Sequence, residues 1–382
     1  MKNLCYGRQC IDSRDIEEVV GALRSDWLTQ GPRVDEFESM ICKYTTARYC
    51  VALSSGTAAL HLACIACGLK PGDEAITSPI TFLATSNAVL YTGAKPVFAD
   101  IDPITVNINP SLIEKQITRK TKAILPVHFA GFPCDMERIK KIALKRSLTI
   151  IEDACHALGA EYRCGGVWHK TGSCQHSDMS VFSFHPVKSI TTGEGGAITT
   201  NNANLYRRLR ALRAHGTYKD KNILAKKGPW YYEMKELGFN YRLTDIQCSL
   251  GISQLKKLKA FIGKRNELAA LYRELLCDCR DIQLPPESDN CRSACHLFFI
   301  RLKDCKKRRQ VFEKLLLHKI RAQVHYIPVY EHPYYAKRSL GVRSDYPNAD
   351  RYYRGTLSLP LHVSLKPSDI RRVVKILKDA LR

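Results

Sequence analysis

Ser183-Phe-His-Pro-Val-Lys188, with Gly193-Glu-Gly-Gly196 just behind it, places a hydroxyl and an amine five residues apart where an apolar run meets a glycine-rich run. The apolar run, 179–184, reads as a strand, so Ser183 and Lys188 sit at its carboxyl end. One lysine among 59 Lys and Arg carries no information by itself. What decides the reading is whether neighbouring segments form a sheet that brings other groups to the same edge.

Strand-like and helix-like segments alternate on both sides. Strands are expected at 50–53, 95–100, 123–128, 148–153 and 197–200, and helices at 58–67, 110–118, 136–145 and 205–214. This alternation predicts an α/β fold, a mostly parallel sheet flanked by helices, in which ligands gather at the carboxyl ends of strands. Asp153 ends one expected strand, and Ser54-Ser-Gly-Thr57 joins another to a helix start. Such a turn offers free N–H groups and the positive end of a helix dipole to a phosphate. An ordinary N-cap reads the same way from sequence.

Upstream, residues 1–12 form a short arm carrying Tyr6 and Arg8, and a helix opens at Ser13. Asp26-Trp-Leu-Thr-Gln-Gly31 breaks it, and an amphipathic helix follows Pro32. Downstream, 216–238 reads as an irregular aromatic excursion, and 238–245 leads into a helix ending near 259. We divide the chain there, into a large domain at 13–259 and a smaller α+β domain at 260–382. The small domain is expected to hold helices at 264–276, at 308–318 and from 368, and a strand at 296–302. Gln323-Val-His-Tyr-Ile-Pro328 is either a strand-to-loop segment facing a ligand or an aromatic surface loop.

Composition narrows the function classes. Hydrophobic content of 45% and charged content of 25% are ordinary for a globular chain. No apolar run approaches the roughly 20 residues of a membrane span, and the first residues lack the apolar core of a signal peptide. A cytoplasmic location is therefore expected, with the sixteen cysteines as reduced thiols. Cys64-Ile-Ala-Cys67 lies mid-helix among apolar residues and reads as core. Cys164, His169, Cys174 and His176 match no standard zinc spacing, so no metal is expected. The net charge of +22 favours anionic ligands without naming one. No zinc-finger spacing, RNA-binding signature or repeat is present, and no nucleic-acid or membrane partner is expected.

Pyridoxal 5′-phosphate requires a lysine for a Schiff base, a carboxylate to keep its pyridine nitrogen protonated, phosphate donors and a wall for its ring. Lys188 supplies the amine and a general base, and Asp153 the carboxylate. Gly56, Thr57 and Ser183 supply phosphate contacts, and Phe82 the ring. Separately each has an ordinary reading: Asp153 as a helix cap, Phe82 as core, Ser183 as partner to a backbone group. Together, in this order and at strand ends, they favour the cofactor.

Over nearly its whole length the chain resembles the fold-type I, pyridoxal-phosphate-dependent aminotransferases of the sugar-nucleotide (DegT-type) family. The carriers are Leu28-Thr-Gln-Gly31, Ser54-Ser-Gly-Thr-Ala-Ala-Leu60, Glu152-Asp-Ala-Cys-His-Ala-Leu-Gly159, the Ser183 and Gly193 stretches, and Gly238-Phe-Asn-Tyr-Arg-Leu-Thr-Asp245. The resemblance implies Lys188 as the Schiff-base lysine, Asp153 as pyridinium partner, Phe82 as stacking ring and His156 beside the phenolic oxygen. It implies that Thr57 and Ser183 hold the phosphate. Asn240 would reach a neighbouring subunit's site, making an obligate homodimer with shared active sites. Related dehydratases carry histidine in place of the lysine, so Lys188 implies transamination.

Within the family the chain is most similar to members that aminate C4 of a UDP-linked 4-keto-6-deoxy-N-acetyl amino sugar for pseudaminic acid synthesis. The product there is UDP-4-amino-4,6-dideoxy-N-acetyl-β-L-altrosamine. This similarity implies a substrate site of Tyr6, Asp26, Trp27, Leu28, Thr29, Gly56, Ser183, Asn240, His325, Tyr326, Ile327 and Pro328. It implies L-glutamate as donor, with Arg242 a candidate for its carboxylate. The resembling enzymes can carry Ala where Gly56 stands and a different pair at Asp26-Trp27, both next to the sugar or phosphate. Another UDP-, dTDP- or GDP-linked keto sugar is the alternative substrate. A non-catalytic regulatory or nucleic-acid-binding protein, prompted by the charge, is the rival from another class.

Overall fold

Seven short strands have both faces covered, which is why they read as nearly continuous apolar runs instead of strict alternations. They are β1 (Tyr49–Leu53), β2 (Glu74–Thr77), β3 (Lys95–Phe98), β4 (Thr121–Leu125), β5 (Thr149–Asp153), β6 (Met179–Ser183) and β7 (Gly196–Thr200). The computed structural model describes residues 3–218 and 221–382. Residues 219 and 220, within the expected excursion, and residues 1 and 2 of the expected arm lie outside the described residues. The sheet order is β1-β7-β6-β5-β4-β2-β3. β7 runs antiparallel to both neighbours and every other pairing is parallel. The α/β architecture expected from the alternation is the architecture observed.

Side-chain period two sorts each strand between two apolar layers. Val51, Leu53, Ile151, Val181 and Ile198 face one layer, with α3 (Gly56–Ala66), α4 (Leu83–Tyr91) and α7 (Ala203–Arg213). Cys50, Ala52, Phe182 and Ala197 face the other, with α2 (Pro32–Thr45) and α8 (Asp245–Leu276). Cys64 packs in the first layer, fully buried. α1 (Ser13–Leu23), α5 (Pro110–Gln116) and α6 (Met136–Arg146) complete the large part. α1 is opened by an Asp12/Asp15 capping box and pinned to α8 by Lys257, whose amine lies 2.6 Å from Asp15.

The two helices expected on either side of residue 259 are one helix, α8, of 32 residues. Gly263, the one break signal between them, is tolerated inside a helix packed along its length, at a cost of about 1 kcal/mol relative to alanine. The core changes hands within this helix. Ile252, Leu258 and Phe261 belong to the large layer, while Leu268, Tyr272 and Leu276 belong to a second core. That core joins an antiparallel sheet, β8 (Ile282–Gln283), β9 (Phe298–Leu302) and β10 (Thr356–Leu359), to α9 (Arg308–Leu317) and α11 (Pro367–Leu381). α10 (Pro347–Gly355) leads into β10. The N-terminal arm docks here: Leu4 and Cys5 pair in parallel with Ile320 and Arg321. Among the described residues no helix is long and apolar enough to cross a membrane.

Candidate active site

β5 and β6 are neighbours, and β1 lies one strand beyond β6, across β7. Their ends bring the β1–α3 turn, Asp153 and Ser183 to one edge. Ser55 caps α3, its Oγ accepting from the Ala58 amide at 3.0 Å. The turn is pressed against its neighbours: a Cβ on Gly56 would stand 2.8 Å from Ser183 Cβ, and one on Gly196 2.5 Å from the Ser55 carbonyl. Glycine at both positions therefore seats the helix N-terminus, with Thr57, beside the Ser183 hydroxyl. Backbone N–H groups and hydroxyls gathered in this way can receive an anion.

Asp153 is buried and held from two sides. Thr85 Oγ1 donates to its Oδ2 at 2.6 Å, and the Cys155 amide donates to its Oδ1 at 3.1 Å. Thr85 lies one turn into α4, whose N-cap is Phe82. The Phe82 ring stays 58% exposed, over the cavity and 6.0 Å from the Tyr326 ring. Glu152 points to the opposite face, as strand alternation requires. There it meets His128 Nε2 at 2.7 Å, Ser180 Oγ at 2.6 Å and the Ser177 hydroxyl. Burial pushes the Glu152 carboxyl up, but these bonds hold it below its ordinary value. This network fixes the strand end from behind while Asp153 faces the cavity.

Lys188 is half-buried after the turn. Burial lowers its amine below the ordinary value, partly opposed by Cys155 and Asp153. His156 lies well below the ordinary imidazole range because of burial, with the charges of Lys188 and His325 adding to it. Its Nε2 meets the Tyr326 hydroxyl at 3.1 Å, and its Nδ1 is buried without a partner. His325 Nδ1 meets Ser358 Oγ at 2.9 Å, and Tyr6 packs 5.0 Å from its ring. Burial, then the nearby Lys188, draws His325 down to about 4.

These groups surround one cavity of about 620 Å³. Of the residues singled out in the sequence, Gly56, Thr57, Phe82, Asp153, His156, Ser183 and Lys188 line it, as do Tyr6, His325 and Tyr326. Asp26, Trp27, Leu28 and Thr29 do not; they form the loop between α1 and α2, with Trp27 57% exposed. Asn240 is exposed and bridged to Ala214, and Arg242 is bridged to Leu53. Ile327 and Pro328 follow the cavity segment but do not line it. Sequence reasoning missed Ser55, Thr81, Thr85, Cys155, His185 and Glu194, which do. Ser55 carried a signal, a serine directly before a helix start. Thr85 carried none, because its partner lies 68 residues away.

The model of the DegT/DnrJ/EryC1/StrS aminotransferase family matches residues 9–378. The chain is 40% identical over 384 residues to the UDP-4-amino-4,6-dideoxy-N-acetyl-beta-L-altrosamine transaminase of Campylobacter jejuni, covering 99% of this chain and 96% of that protein. It is 39% identical over 385 residues to the spore coat polysaccharide biosynthesis protein SpsC of Bacillus subtilis, covering 99% and 97%. Among solved structures, Helicobacter pylori PseC, an aminotransferase of pseudaminic acid biosynthesis, superposes with a TM-score of 0.91 at 33% identity, covering 99% of each chain.

Members of this family use pyridoxal 5′-phosphate, and the site suits it. An amine, a buried carboxylate, a helix N-terminus with hydroxyls and an open aromatic ring share one cavity, and a buried imidazole nitrogen is left unpaired. The chain belongs to the DegT/DnrJ/EryC1/StrS aminotransferase family and is a pyridoxal-phosphate-dependent sugar aminotransferase.

Proposed function

We propose that this chain transfers an amino group to C4 of a UDP-linked 4-keto-6-deoxy-N-acetyl amino sugar, with L-glutamate as donor. The observation that carries the chemistry is Lys188, Asp153 and the α3 N-terminus around a single cavity. The bound cofactor supplies an electron sink that lets a carbon-bound proton leave. Asp153, fixed by Thr85 and Cys155, holds the ring nitrogen's proton. Gly56, Thr57 and Ser183 bind the phosphate, and Phe82 covers the ring. Lys188 would hold the cofactor and, with its amine free, would serve as the acid–base group for the proton the reaction moves. Its depressed basicity suits it to both, because a neutral amine is the nucleophile and the base. His156, kept neutral by burial, would meet the phenolic oxygen without adding a charge.

The sugar is read by Tyr6, His325 and Tyr326, which line the cavity. Asp26–Thr29, Asn240 and Arg242 lie outside this chain's cavity, so we assign them to the site of a second copy in a homodimer. The similarity of the Campylobacter and Helicobacter proteins supports the UDP-linked substrate. A second reading is another nucleotide-linked keto sugar, because the chain is about as similar to SpsC, whose name states no such substrate, as to the altrosamine transaminase.

Lys188→Ala is expected to remove the visible absorbance band of lysine-bound cofactor and abolish turnover; persistence of either sinks the assignment. Product analysis on a panel of UDP-, dTDP- and GDP-linked 4-keto sugars with glutamate separates the two substrate readings.

A further inference from the structure

Tyr326 and His156 lie 170 residues apart in the chain and are joined by one hydrogen bond, 3.1 Å between the phenol Oη and the imidazole Nε2. Both line the large cavity. His156 is 6% exposed. Its ring packs against His296, with centroids 4.3 Å apart, and against the edge of Phe129 at 6.2 Å, and these contacts hold its plane.

A neutral imidazole has one nitrogen that donates and one that accepts, and burial keeps His156 neutral. Lys188, His325 and His296 also bear on it electrostatically, but among the described residues none of them is hydrogen-bonded to it. Burial keeps the Tyr326 phenol protonated, well above its usual range, and the acidic groups of Tyr6, Asp153, Cys155 and Tyr352 add to this. Among the described residues its hydroxyl has no partner besides His156. If the hydroxyl donates to Nε2, its proton is satisfied and Nδ1 carries the imidazole's hydrogen. If Nε2 donated instead, two groups would go unmet: the phenol's proton, and the lone pair of Nδ1, which is buried without a partner. Unmet polar groups are costly in the interior, so the first arrangement prevails.

We propose that Tyr326 is a positioning residue whose hydroxyl fixes the Nδ1–H tautomer of His156, so that the imidazole presents a donor and not a lone pair to the cofactor's phenolic oxygen. This rests on the reading above that His156 meets that oxygen. An ionised oxygen only accepts, so the other tautomer would set two lone pairs against each other.

The visible band of the lysine-bound cofactor, followed against pH, tests this. A donor stabilises the ionised phenolic oxygen. That oxygen is fully charged only once the proton it shares with the lysine nitrogen has left, so a donor lowers the midpoint of the spectral change. Tyr326→Phe should raise the midpoint by about one pH unit, and His156→Ala by at least as much. In the His156→Ala background Tyr326→Phe should move it no further, because Tyr326 acts through the imidazole. Equal shifts in both backgrounds overturn the proposal, since Tyr326 would then act on the oxygen itself. A midpoint that His156→Ala raises and Tyr326→Phe leaves unmoved overturns the proposal alone. A wild-type chain with no visible band, or a His156→Ala midpoint equal to the wild type's, overturns the reading beneath it as well. A neutron map of wild-type, cofactor-loaded crystals needs no variant and decides the matter even where Tyr326→Phe does not fold. Deuterium is expected on Nδ1 of His156, and deuterium on Nε2 refutes the proposal.

Discussion

Thr85→Val removes one hydroxyl and keeps the side chain's shape, at a position with no solvent exposure. The lost bond is the 2.6 Å donation to Asp153 Oδ2, a hydrogen bond to a charged group in the interior. Such bonds contribute about 1.5–3 kcal/mol. The Thr81 hydroxyl, 2.8 Å from Thr85 Oγ1, loses its partner as well. Asp153 would then be fixed only by the Cys155 amide at 3.1 Å and free to swing away from the ring nitrogen. If most of the loss appears as weaker cofactor binding, affinity falls by about ten- to a hundredfold. Titrating cofactor-free protein with pyridoxal 5′-phosphate, followed by quenching of intrinsic fluorescence, measures it. Thr85→Ser keeps a donor and should recover binding to within about threefold. A Thr85→Val protein that binds cofactor as the wild type does would refute the claim that this hydroxyl holds the carboxylate.

Three further outcomes follow from the same structure. His325 is neutral in the folded chain down to about pH 4, whereas an exposed imidazole takes up a proton near 6.5. The unfolded state therefore binds more protons between those values, and stability should fall as pH drops through that window, by up to about 1.4 kcal/mol per pH unit. Melting curves against pH should be flatter for His325→Gln. Arg213 and Glu38 form an ion pair of 2.5 Å whose side chains are 5% and 7% exposed. Arg213→Met strands the carboxylate and should cost about 3–5 kcal/mol, read as a lower unfolding midpoint, with the Arg213→Met/Glu38→Leu double variant losing less. If sites are shared between copies, mixing inactive Lys188→Ala and Asn240→Ala proteins through mild denaturation should restore about a quarter of wild-type sites; no recovery would place Asn240 in its own chain's site.

Much of the site was legible because each part lies on a local pattern that sequence preserves. Asp153 closes an apolar run, Ser55-Gly-Thr opens a helix, and Lys188 follows the strand ending at Ser183. Thr85, Thr81 and Cys155 were not legible, because a threonine inside a helix announces nothing about a carboxylate on another strand. The α8 helix was misread in the middle for a related reason. Gly263 looks like a stop, but packing against two cores outweighs its propensity cost.

The sequence alone determined most of the strands and helices, though not β2 or α4, together with a mostly parallel sheet and the chemistry at its carboxyl edge. These depend on periodicity and on residue types fixed at element ends. The tertiary structure decided which distant groups meet. It turned Glu152 to the back and Asp153 to the front of one strand, and pressed Gly56 against Ser183. It brought Tyr326 to His156, and left Asp26–Thr29 outside the cavity they were expected to line. Side-chain meetings across 24 to 170 residues depend on sheet order and register, and no local pattern encodes them.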